Sequence, residues 1–155
     1  MRIEPFKPAF QLLIDQYQLS DEQLIYTGMP DFPIKIAEKF SFIHPLLGIE
    51  NGNLTTFFVI DEKKDVHLYT ENTHAVLLRT FSTDQRMQGK GYAKKVLLLL
   101  PDYIKSQFPS VTEIVLAVNE ENIAAQKLYE KTGFSDTSMR VSSDTGLLKV
   151  MHLML

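Results

Sequence analysis

Two glycines one residue apart, followed by lysines, are the residues in this chain best suited by type and spacing to bind a ligand. They lie in the stretch Gln-Gly-Lys-Gly-Tyr-Ala-Lys-Lys, residues 88–95. Because glycine has no Cβ, its amide can approach a ligand closely, and the unpaired amides at a helix start favour negative charge. Lys90, Lys94 and Lys95, with Arg86 just upstream, add cationic charge at the same place. This pattern predicts a cradle for a pyrophosphate group.

Two familiar phosphate-binding loops do not fit this spacing. A P-loop needs four residues between its glycines and then Gly-Lys-Ser/Thr, whereas Gly89 and Gly91 are one residue apart and no Ser or Thr follows Lys90. A dinucleotide fingerprint needs a third glycine, which this stretch lacks, and usually lies near the first strand of its fold. For the motif taken alone, the alternative to a phosphate site is a plain strand–loop–helix turn whose lysines face solvent.

A second block of residues downstream changes the interpretation of the glycine motif. Its members are Asn119, Asn122, Tyr129, Gly133 and Phe134. Together the two blocks resemble the GNAT superfamily of N-acetyltransferases, which transfer an acetyl group from acetyl-coenzyme A to an amine. The family motif Gln/Arg-x-x-Gly-x-Gly/Ala is matched by residues 88–93. The resemblance rests on residues 75–134, and the first 70 residues match only in the order of their elements.

The resemblance implies which residues bind acetyl-coenzyme A, the co-substrate. Amides of the glycine motif would hold the pyrophosphate. The strand before it would offer backbone groups to the pantetheine arm, because the two central parallel strands of this fold splay apart. The implied cofactor-binding residues are Phe81, Ser82, Thr83, Gln88, Gly89, Lys90, Gly91, Tyr92, Ala93, Asn119 and Asn122. No metal is expected, because the four histidines show no metal-ligand spacing.

Acetyl transfer to an amine needs a neutral amine, donors for the developing oxyanion and a proton for the leaving thiolate. The resemblance places Tyr129 beside the sulfur, and a phenol of ordinary pKa, about 10, is protonated at neutral pH and can donate. We therefore expect Tyr129 to be the general acid. The alternative is a packed aromatic residue whose hydroxyl reaches water. Because the chain has no cysteine, transfer should be direct, in a ternary complex, without an acetyl-cysteine.

No general base is evident from the sequence. Family members often carry a glutamate in the strand before the glycine motif or in the next strand, and the aligned positions in this chain are Leu77 and Ala117. Deprotonation would then run through a water chain or use an acid elsewhere, such as Glu71, Asp84 or Glu120. Arg79, a single charge within an apolar strand, could orient an acidic group of the substrate or anchor a core ion pair.

The elements that must position these residues follow one another in a mixed order. The apolar periodicity predicts a first strand, early helices, an antiparallel strand pair, one β-α-β passage and a closing hairpin. Residues 74–83 are mostly apolar with one charge in the middle, which predicts a strand covered on both faces and central in its sheet. The fold class is therefore α/β, with a mixed, mostly antiparallel central sheet of six to seven strands and helices on both faces. This order matches the GNAT-like acetyltransferase fold that the resemblance implies.

Three residues mark the ends and the interior of the predicted helices around the site. Asn122 should cap the helix that carries Tyr129, and Gly133 should end it. Pro101 lies inside the helix that follows the glycine motif, so we expect a kink or a restart there.

Length and composition indicate one acetyltransferase domain, residues 1–155, of ordinary globular character. Apolar residues make up 45% and charged residues 23% of the chain, and the net charge of -3 gives no reason to expect nucleic-acid binding. The charged, proline-containing start does not read as a signal peptide, and no apolar run approaches the roughly 20 residues of a membrane span. We therefore expect a cytoplasmic protein without a membrane partner.

The leading hypothesis is an acetyl-coenzyme A-dependent N-acetyltransferase acting on a small-molecule amine or a protein amine. The last strands could support a homodimer. A second hypothesis, prompted by the missing glutamates, is a binding module that senses acetyl-coenzyme A without turning it over. A third, a nucleotide-phosphate enzyme, rests on the glycine loop alone.

Overall fold

In a computed structural model of all 155 residues, the chain forms seven strands and five α-helices. The strands are β1 (Arg2–Pro5), β2 (Ile43–Glu50), β3 (Asn53–Asp61), β4 (Ala75–Thr83), β5 (Glu113–Asn119), β6 (Ser135–Ser143) and β7 (Gly146–Met154). The helices are α1 (Gln11–Asp15), α2 (Asp21–Leu24), α3 (Asp31–Lys39), α4 (Tyr92–Gln107) and α5 (Ile123–Lys131). None of these helices is both long enough and apolar enough to cross a membrane.

All seven strands belong to one sheet, in the order β1-β2-β3-β4-β5-β7-β6. Only β4 and β5 run parallel, and every other neighbouring pair is antiparallel. The last strand in the chain, β7, lies between β5 and β6, so that the closing hairpin extends the sheet beyond the parallel pair. The predicted fold class, a mixed and mostly antiparallel sheet of six to seven strands, is confirmed.

Helices cover both faces of the sheet because neighbouring strand residues point to opposite sides. Phe58 of β3 packs in the cluster that contains the buried side chains of α4 and α5, and the adjacent Phe57 packs in the cluster of α1 and α3. Both rings are fully buried, and each such burial contributes about 1.5–3 kcal/mol. The two adjacent phenylalanines therefore hold helices on opposite faces of one strand.

The parallel strands β4 and β5 pair over only a short stretch. Residues 75–77 of β4 pair with residues 113–115 of β5. Beyond them, as far as Thr83 and Asn119, the two strands no longer pair with each other. Against β3, two residues of β4, Thr80 and Phe81, stand opposite the single Phe58, and Thr80 has a φ of 55°. This β-bulge re-aims the second half of β4 and accompanies the opening between the parallel strands.

Two elements differ from the sequence expectations. Helix α2 was not expected, because its four residues bury no side chain and leave no apolar period. Helix α4 continues through Pro101 without the restart that we considered. Side chains on both sides of that proline, Leu100 and Ile104, are fully buried, and this packing offsets the roughly 3 kcal/mol that an interior proline costs.

Candidate functional site

A cavity of about 770 Å³ lies where β4 and β5 separate. Its lining includes Leu78 and Leu128, which pack with the core beneath α4 and α5. It also includes Leu77 and Tyr69, which pack in a small cluster on the opposite face of the sheet. The cavity therefore reaches both faces, and two molecules could meet in it from opposite sides.

The sequence motifs that predicted a site converge on this cavity. The predicted site residues that line it are Phe81, Ser82, Thr83, Gln88, Gly89, Gly91, Tyr92, Ala93, Asn119, Asn122 and Tyr129. The remaining one, Lys90, is exposed and lies outside the lining. Residues far apart in the sequence thus meet because β4, α4, β5 and α5 all end or begin at the strand opening.

The two glycines of the motif both have left-handed backbone conformations. Gly89 has a φ of 76° and Gly91, the N-cap residue of α4, has a φ of 81°. A Cβ added to either glycine would meet no protein atom within 4 Å. The glycines are therefore required by backbone conformation, and the space above them is open to a ligand.

The amides of this loop and of the first turn of α4 form an anion-binding surface. None of the backbone amides of residues 88–94 donates a hydrogen bond within the protein, and no acidic residue occupies the first turn. Such a row of free amides, added to the positive end of the helix dipole, is suited to phosphate oxygens. The loop therefore fits the pyrophosphate that the sequence motif implies.

The basic residues around the loop are not equally available to an anion. Lys95 Nζ donates to Glu50 at 3.1 Å, and the Arg86 guanidinium bonds Asp84 through Nε at 3.0 Å and Nη2 at 2.7 Å. Lys94 lines the cavity and makes no ion pair. Of the four basic residues predicted to add charge, Arg86 and Lys95 are thus partly neutralised by carboxylates.

The second half of β4 is tied to the N-terminal helices by side chains. The hydroxyls of Tyr17 and Ser82 form a hydrogen bond at 2.8 Å, and Gln23 of α2 donates to the Thr83 carbonyl at 2.7 Å. The Thr83 carbonyl, which we expected to be free for a ligand, therefore has a partner in the protein. That bond positions α2 at the edge of the cavity.

Tyr129 presents a free hydroxyl to the cavity. Its ring is 8% exposed and packs edge-on against Phe81 and Phe134, with centroids 6.2 and 5.7 Å away. No protein atom forms a hydrogen bond with its hydroxyl, and burial raises the pKa of the phenol above its usual value of about 10. Tyr129 is therefore a protonated donor without a partner.

Two asparagines, one at the end of β5 and one at the start of α5, have different roles. Asn122 caps the helix as predicted, since its Oδ1 accepts the Ala125 amide at 3.3 Å, and its Nδ2 makes no bond within the protein. The Asn119 side chain is fully used, because Nδ2 donates to the Thr145 carbonyl at 2.8 Å and Oδ1 accepts the Glu121 amide at 2.9 Å. Asn119 therefore holds the loop before α5 in place.

A residue that the sequence did not reveal, Gln126, locks the same loop. Its Nε2 donates to the carbonyls of Asn119 and Glu120 at 3.0 and 2.9 Å, and the residue is buried. These bonds fix α5, and with it Tyr129, to the end of β5. A glutamine in a helix gives no local signal for such a contact, because its partners become close only in the folded chain.

The carboxylates considered as general bases do not lie in the cavity. Glu71 is exposed, Asp84 is buried against Arg86, and Glu120 pairs with Arg140 at 2.8 Å. The apolar Leu77 and Ala117 do line the cavity.

The only carboxylate in the lining is Glu22, on the unexpected helix α2. The sequence does hold one signal for this helix. Ser20 to Gln23 form a capping box, in which each residue's side chain bonds the other's backbone amide.

Arg79 forms the ion pair that was one of the two expectations for it. Its Nη1 donates to Asp61 at 3.2 Å and to Asp65 at 2.5 Å, and Asp61 is fully buried. Arg79 also lines the cavity. Across the whole chain, no group of three or more His, Cys, Asp or Glu side chains is arranged to hold a metal ion.

This chain is similar in sequence to known proteins. Residues 13–134 match the family model described as the acetyltransferase (GNAT) family. The uncharacterized N-acetyltransferase YbbJ of Bacillus subtilis (strain 168) is 32% identical over 148 residues, which cover 95% of this chain and 92% of that protein.

Two solved structures have the same fold. A spermidine N-acetyltransferase from Vibrio cholerae, in complex with CoA and spermine, matches with a TM-score of 0.75 and 17% identity, covering 99% of this chain and 94% of that one. The aminoglycoside acetyltransferase AAC(6')-Ib, in complex with coenzyme A, matches with a TM-score of 0.73 and 16% identity, covering 98% and 93% of the two chains. At this level of identity, the likeness establishes the shared fold.

Proposed function

The chain belongs to the acetyltransferase (GNAT) family, and from this premise we propose that it moves an acetyl group from acetyl-coenzyme A to a primary amine. Transfer is direct, in a ternary complex. The observation that carries the proposal is the cavity itself. Backbone amides that donate no hydrogen bond within the protein lie on one side of it, and the free hydroxyl of Tyr129 also faces it. Residues 1–155 act as one acetyltransferase domain, because strands from Arg2–Pro5 to Gly146–Met154 build a single sheet.

The donor side of the site is the glycine loop with the start of α4. Free amides of residues 88–94 bind the pyrophosphate, and Lys94 adds a positive charge. The unpaired stretch of β4 at Phe81 and Ser82 binds the amide groups of the pantetheine arm as an added strand would. Asn122 Nδ2, which has no protein partner, is a further donor along this path.

Tyr129 serves as the general acid. The neutral amine attacks the thioester carbonyl carbon, a C–N bond forms and the C–S bond breaks. The departing sulfur takes the phenolic proton of Tyr129, and the proton released by the nitrogen restores the phenol. The raised pKa keeps Tyr129 protonated, so the residue always begins the cycle as a donor.

The amine enters the cavity from the face of the sheet opposite α4 and α5. Leu77 and Ala117 leave no carboxylate beside the strand opening, and Glu22 is the only carboxylate among the lining residues. Water in the cavity therefore carries the proton of the ammonium group away, and the reaction depends on the fraction of amine that is neutral.

Thiol release tests this function. Acetyl-coenzyme A and a broad panel of primary amines should give free thiol, and coenzyme A should raise the melting temperature more than ATP does. Stabilisation by ATP but not by coenzyme A would contradict the proposal and favour a nucleotide-phosphate enzyme.

A second candidate function is a sensor that binds acetyl-coenzyme A without turning it over. The apolar Leu77 and Ala117, which leave the strand opening without a base, are the observation that favours it. Tight binding with no thiol release from any amine, including a peptide N-terminus, would support the sensor. The acceptor amine belongs either to a small molecule or to a protein, and the same panel separates these two cases.

The molecule also has an open sheet edge at β6, which pairs only with β7. We propose that the protein forms a homodimer through these last strands, because an unpaired edge strand can pair with the same strand of a second copy. Light scattering at assay concentration would give the mass of the dimer, and a mass of one chain would contradict it.

A further inference from the structure

We propose that the amine acceptor also carries a carboxylate, as an amino acid does, and that Arg79 binds this carboxylate. The inference rests on the proposed function, since it names the substrate class of the same cavity. It starts from the charged residues in the lining, which are Glu22, Arg79 and Lys94. Lys94 is in the first turn of α4 beside the glycine loop, so Glu22 and Arg79 are the charges left for the acceptor.

Arg79 lies on the side of the sheet from which the amine would enter. It is two residues after Leu77 in β4, and Leu77 belongs to the cluster on the face opposite α4 and α5. Tyr69, on the same face, lines the cavity next to that cluster. The Arg79 side chain is 39% exposed, so it is neither buried in the core nor free in solvent.

One side of the guanidinium is fixed, and the other is available. Asp61 and Asp65 both accept from Nη1, whereas Nε and Nη2 donate no hydrogen bond within the protein. The Nε–Nη2 edge is a fork of parallel N–H groups that matches the two oxygens of a carboxylate. Burial acts to lower the pKa of Arg79, but its bonds to Asp65 and Asp61 outweigh this effect, so the side chain stays cationic.

The two aspartates also determine how the acceptor is recognised. Their charges weaken the long-range attraction of Arg79 for an anion, and recognition therefore depends on two direct hydrogen bonds in the fork. Asp61 itself is held by the amides of Lys63 and Lys64, at 2.9 and 2.8 Å, so the guanidinium orientation is set by a rigid turn. A lysine, which is a point charge without a fork, cannot reproduce this arrangement.

The rest of the acceptor side favours an acceptor with one ammonium group and an apolar body. Glu22 provides a single carboxylate, so an acceptor with several ammonium groups would find only one partner of opposite charge. The exposed side chains of Ile25 and Tyr26, and the ring of Tyr69, offer apolar and aromatic surface around the cavity. An amino acid with an apolar side chain meets all three kinds of surface.

Matched pairs of acceptors test this inference. Thiol release is measured with L-phenylalanine against phenethylamine and with L-leucine against 3-methylbutylamine, and spermidine serves as a polyamine. In each pair only the carboxylate is present or absent, and because it also lowers the pKa of the amine, kcat/KM is expressed per neutral amine. The wild-type kcat/KM should be higher for both amino acids than for their decarboxylated partners and for spermidine.

Variants of Arg79 assign the preference to this residue. Arg79→Lys keeps a positive charge for Asp61 and should lower kcat/KM for the amino acids by roughly tenfold to a hundredfold, mainly through KM. The loss should be smaller for the decarboxylated amines, so that the ratio of kcat/KM within each pair falls. Arg140→Lys is the matched control, because Arg140 also bonds two carboxylates, Asp136 and Glu120, but does not line the cavity.

Coenzyme A binding separates the two possible failures. If coenzyme A stabilises the protein and the decarboxylated amines or spermidine react as well as the amino acids, the carboxylate inference is overturned and the proposed function stands. The carboxylate inference is also overturned if Arg79→Lys lowers kcat/KM equally for both members of each pair, or if the wild type turns over neither amino acid. If coenzyme A does not bind and no amine reacts, the proposed function itself fails.

Discussion

The hydroxyl of Tyr129 has no hydrogen-bond partner in the protein, although the residue is only 8% exposed. A buried polar group without a partner destabilises the fold unless it reaches water or a ligand, and this hydroxyl reaches the cavity. Its ring, in contrast, is held by Phe81 and Phe134. The residue is thus fixed by its ring and free at its oxygen, which is the arrangement that a proton donor needs.

Replacing Tyr129 with phenylalanine should separate catalysis from binding. We expect Tyr129→Phe to lower kcat by about a hundredfold or more, the usual contribution of a positioned acid, while the Kd for coenzyme A changes little. Steady-state thiol release and calorimetric titration measure the two quantities. Tyr103→Phe is the control, because Tyr103 packs against the same core and does not line the cavity. Unchanged kcat in Tyr129→Phe would remove the assigned role.

The raised pKa of Tyr129 leads to an expected pH profile. Because burial moves the ionisation of the phenol above its usual value of about 10, Tyr129 stays protonated over pH 6–10, while an alkylamine acceptor such as 3-methylbutylamine, with a lysine-like pKa of about 10.4, becomes increasingly neutral. We therefore expect kcat/KM to rise with pH over this range, without an alkaline decline. A decline between pH 8 and 10 that disappears in Tyr129→Phe would show that the phenol ionises in this range.

At the scale of elements, the loop between β4 and α4 owes its shape to its two glycines. Both have positive φ, both have open space above them, and the amides that follow are free. A side chain at either position would strain the backbone and extend into the space where an anion would bind.

Gly91→Ala tests both consequences at once. The left-handed conformation should cost about 1–2 kcal/mol of unfolding free energy, and the Kd for coenzyme A should rise because the new methyl group lies over the cradle. Gly52→Ala is a close control, since Gly52 has a φ of 78° and equally open surroundings in the turn between β2 and β3. It should lose similar stability in chemical denaturation and retain coenzyme A affinity. Equal losses of affinity in both variants would contradict the cradle.

The arrangement of the whole molecule depends on contacts between its first and middle parts. Asp84, at the end of β4, is fully buried and accepts the Gln18 amide at 3.2 Å as well as the Arg86 guanidinium. Arg86 Nη2 in turn donates to the Gln16 carbonyl at 2.8 Å. These bonds join the segment that follows α1 to the segment that enters the glycine loop.

Asp84→Asn should therefore loosen the molecule across this junction. We expect a loss of about 1–3 kcal/mol in unfolding free energy, because the Gln18 amide and the Arg86 guanidinium would lose a buried, charged acceptor. Burial acts to raise the pKa of Asp84, but the Arg86 and Gln18 donors lower it overall. The stabilisation is thus present above the unfolded value of about 3.9 and is lost as pH falls through the lower folded value.

Denaturant unfolding of the wild type and Asp84→Asn at pH 7 and at low pH measures this effect. The difference in unfolding free energy should be larger at pH 7. Asp144→Asn, in the turn between β6 and β7, is the control and should change little. A difference between wild type and Asp84→Asn that is independent of pH would contradict the charged role of Asp84.

The amino-acid sequence alone was sufficient to predict the features that depend on local spacing. The glycine loop, the Asn122 cap and the succession of most strands and helices along the chain all follow from residues close together in the sequence, because backbone conformation and capping are local. The family motifs added the position of Tyr129. The fold class could therefore be stated before the structure was known.

Only the tertiary structure decided which side chains remain free and which are already bonded. Asn119, Arg86 and the Thr83 carbonyl find partners far away in the sequence, while Glu22 and Arg79 reach the cavity through elements whose placement no local pattern gives. A hydrogen bond or an ion pair between distant residues exists only once the sheet has brought its elements together. Residue spacing thus predicted the glycine loop, and the packing of α2 and of the segment between β3 and β4 decided which other charged side chains reach the cavity.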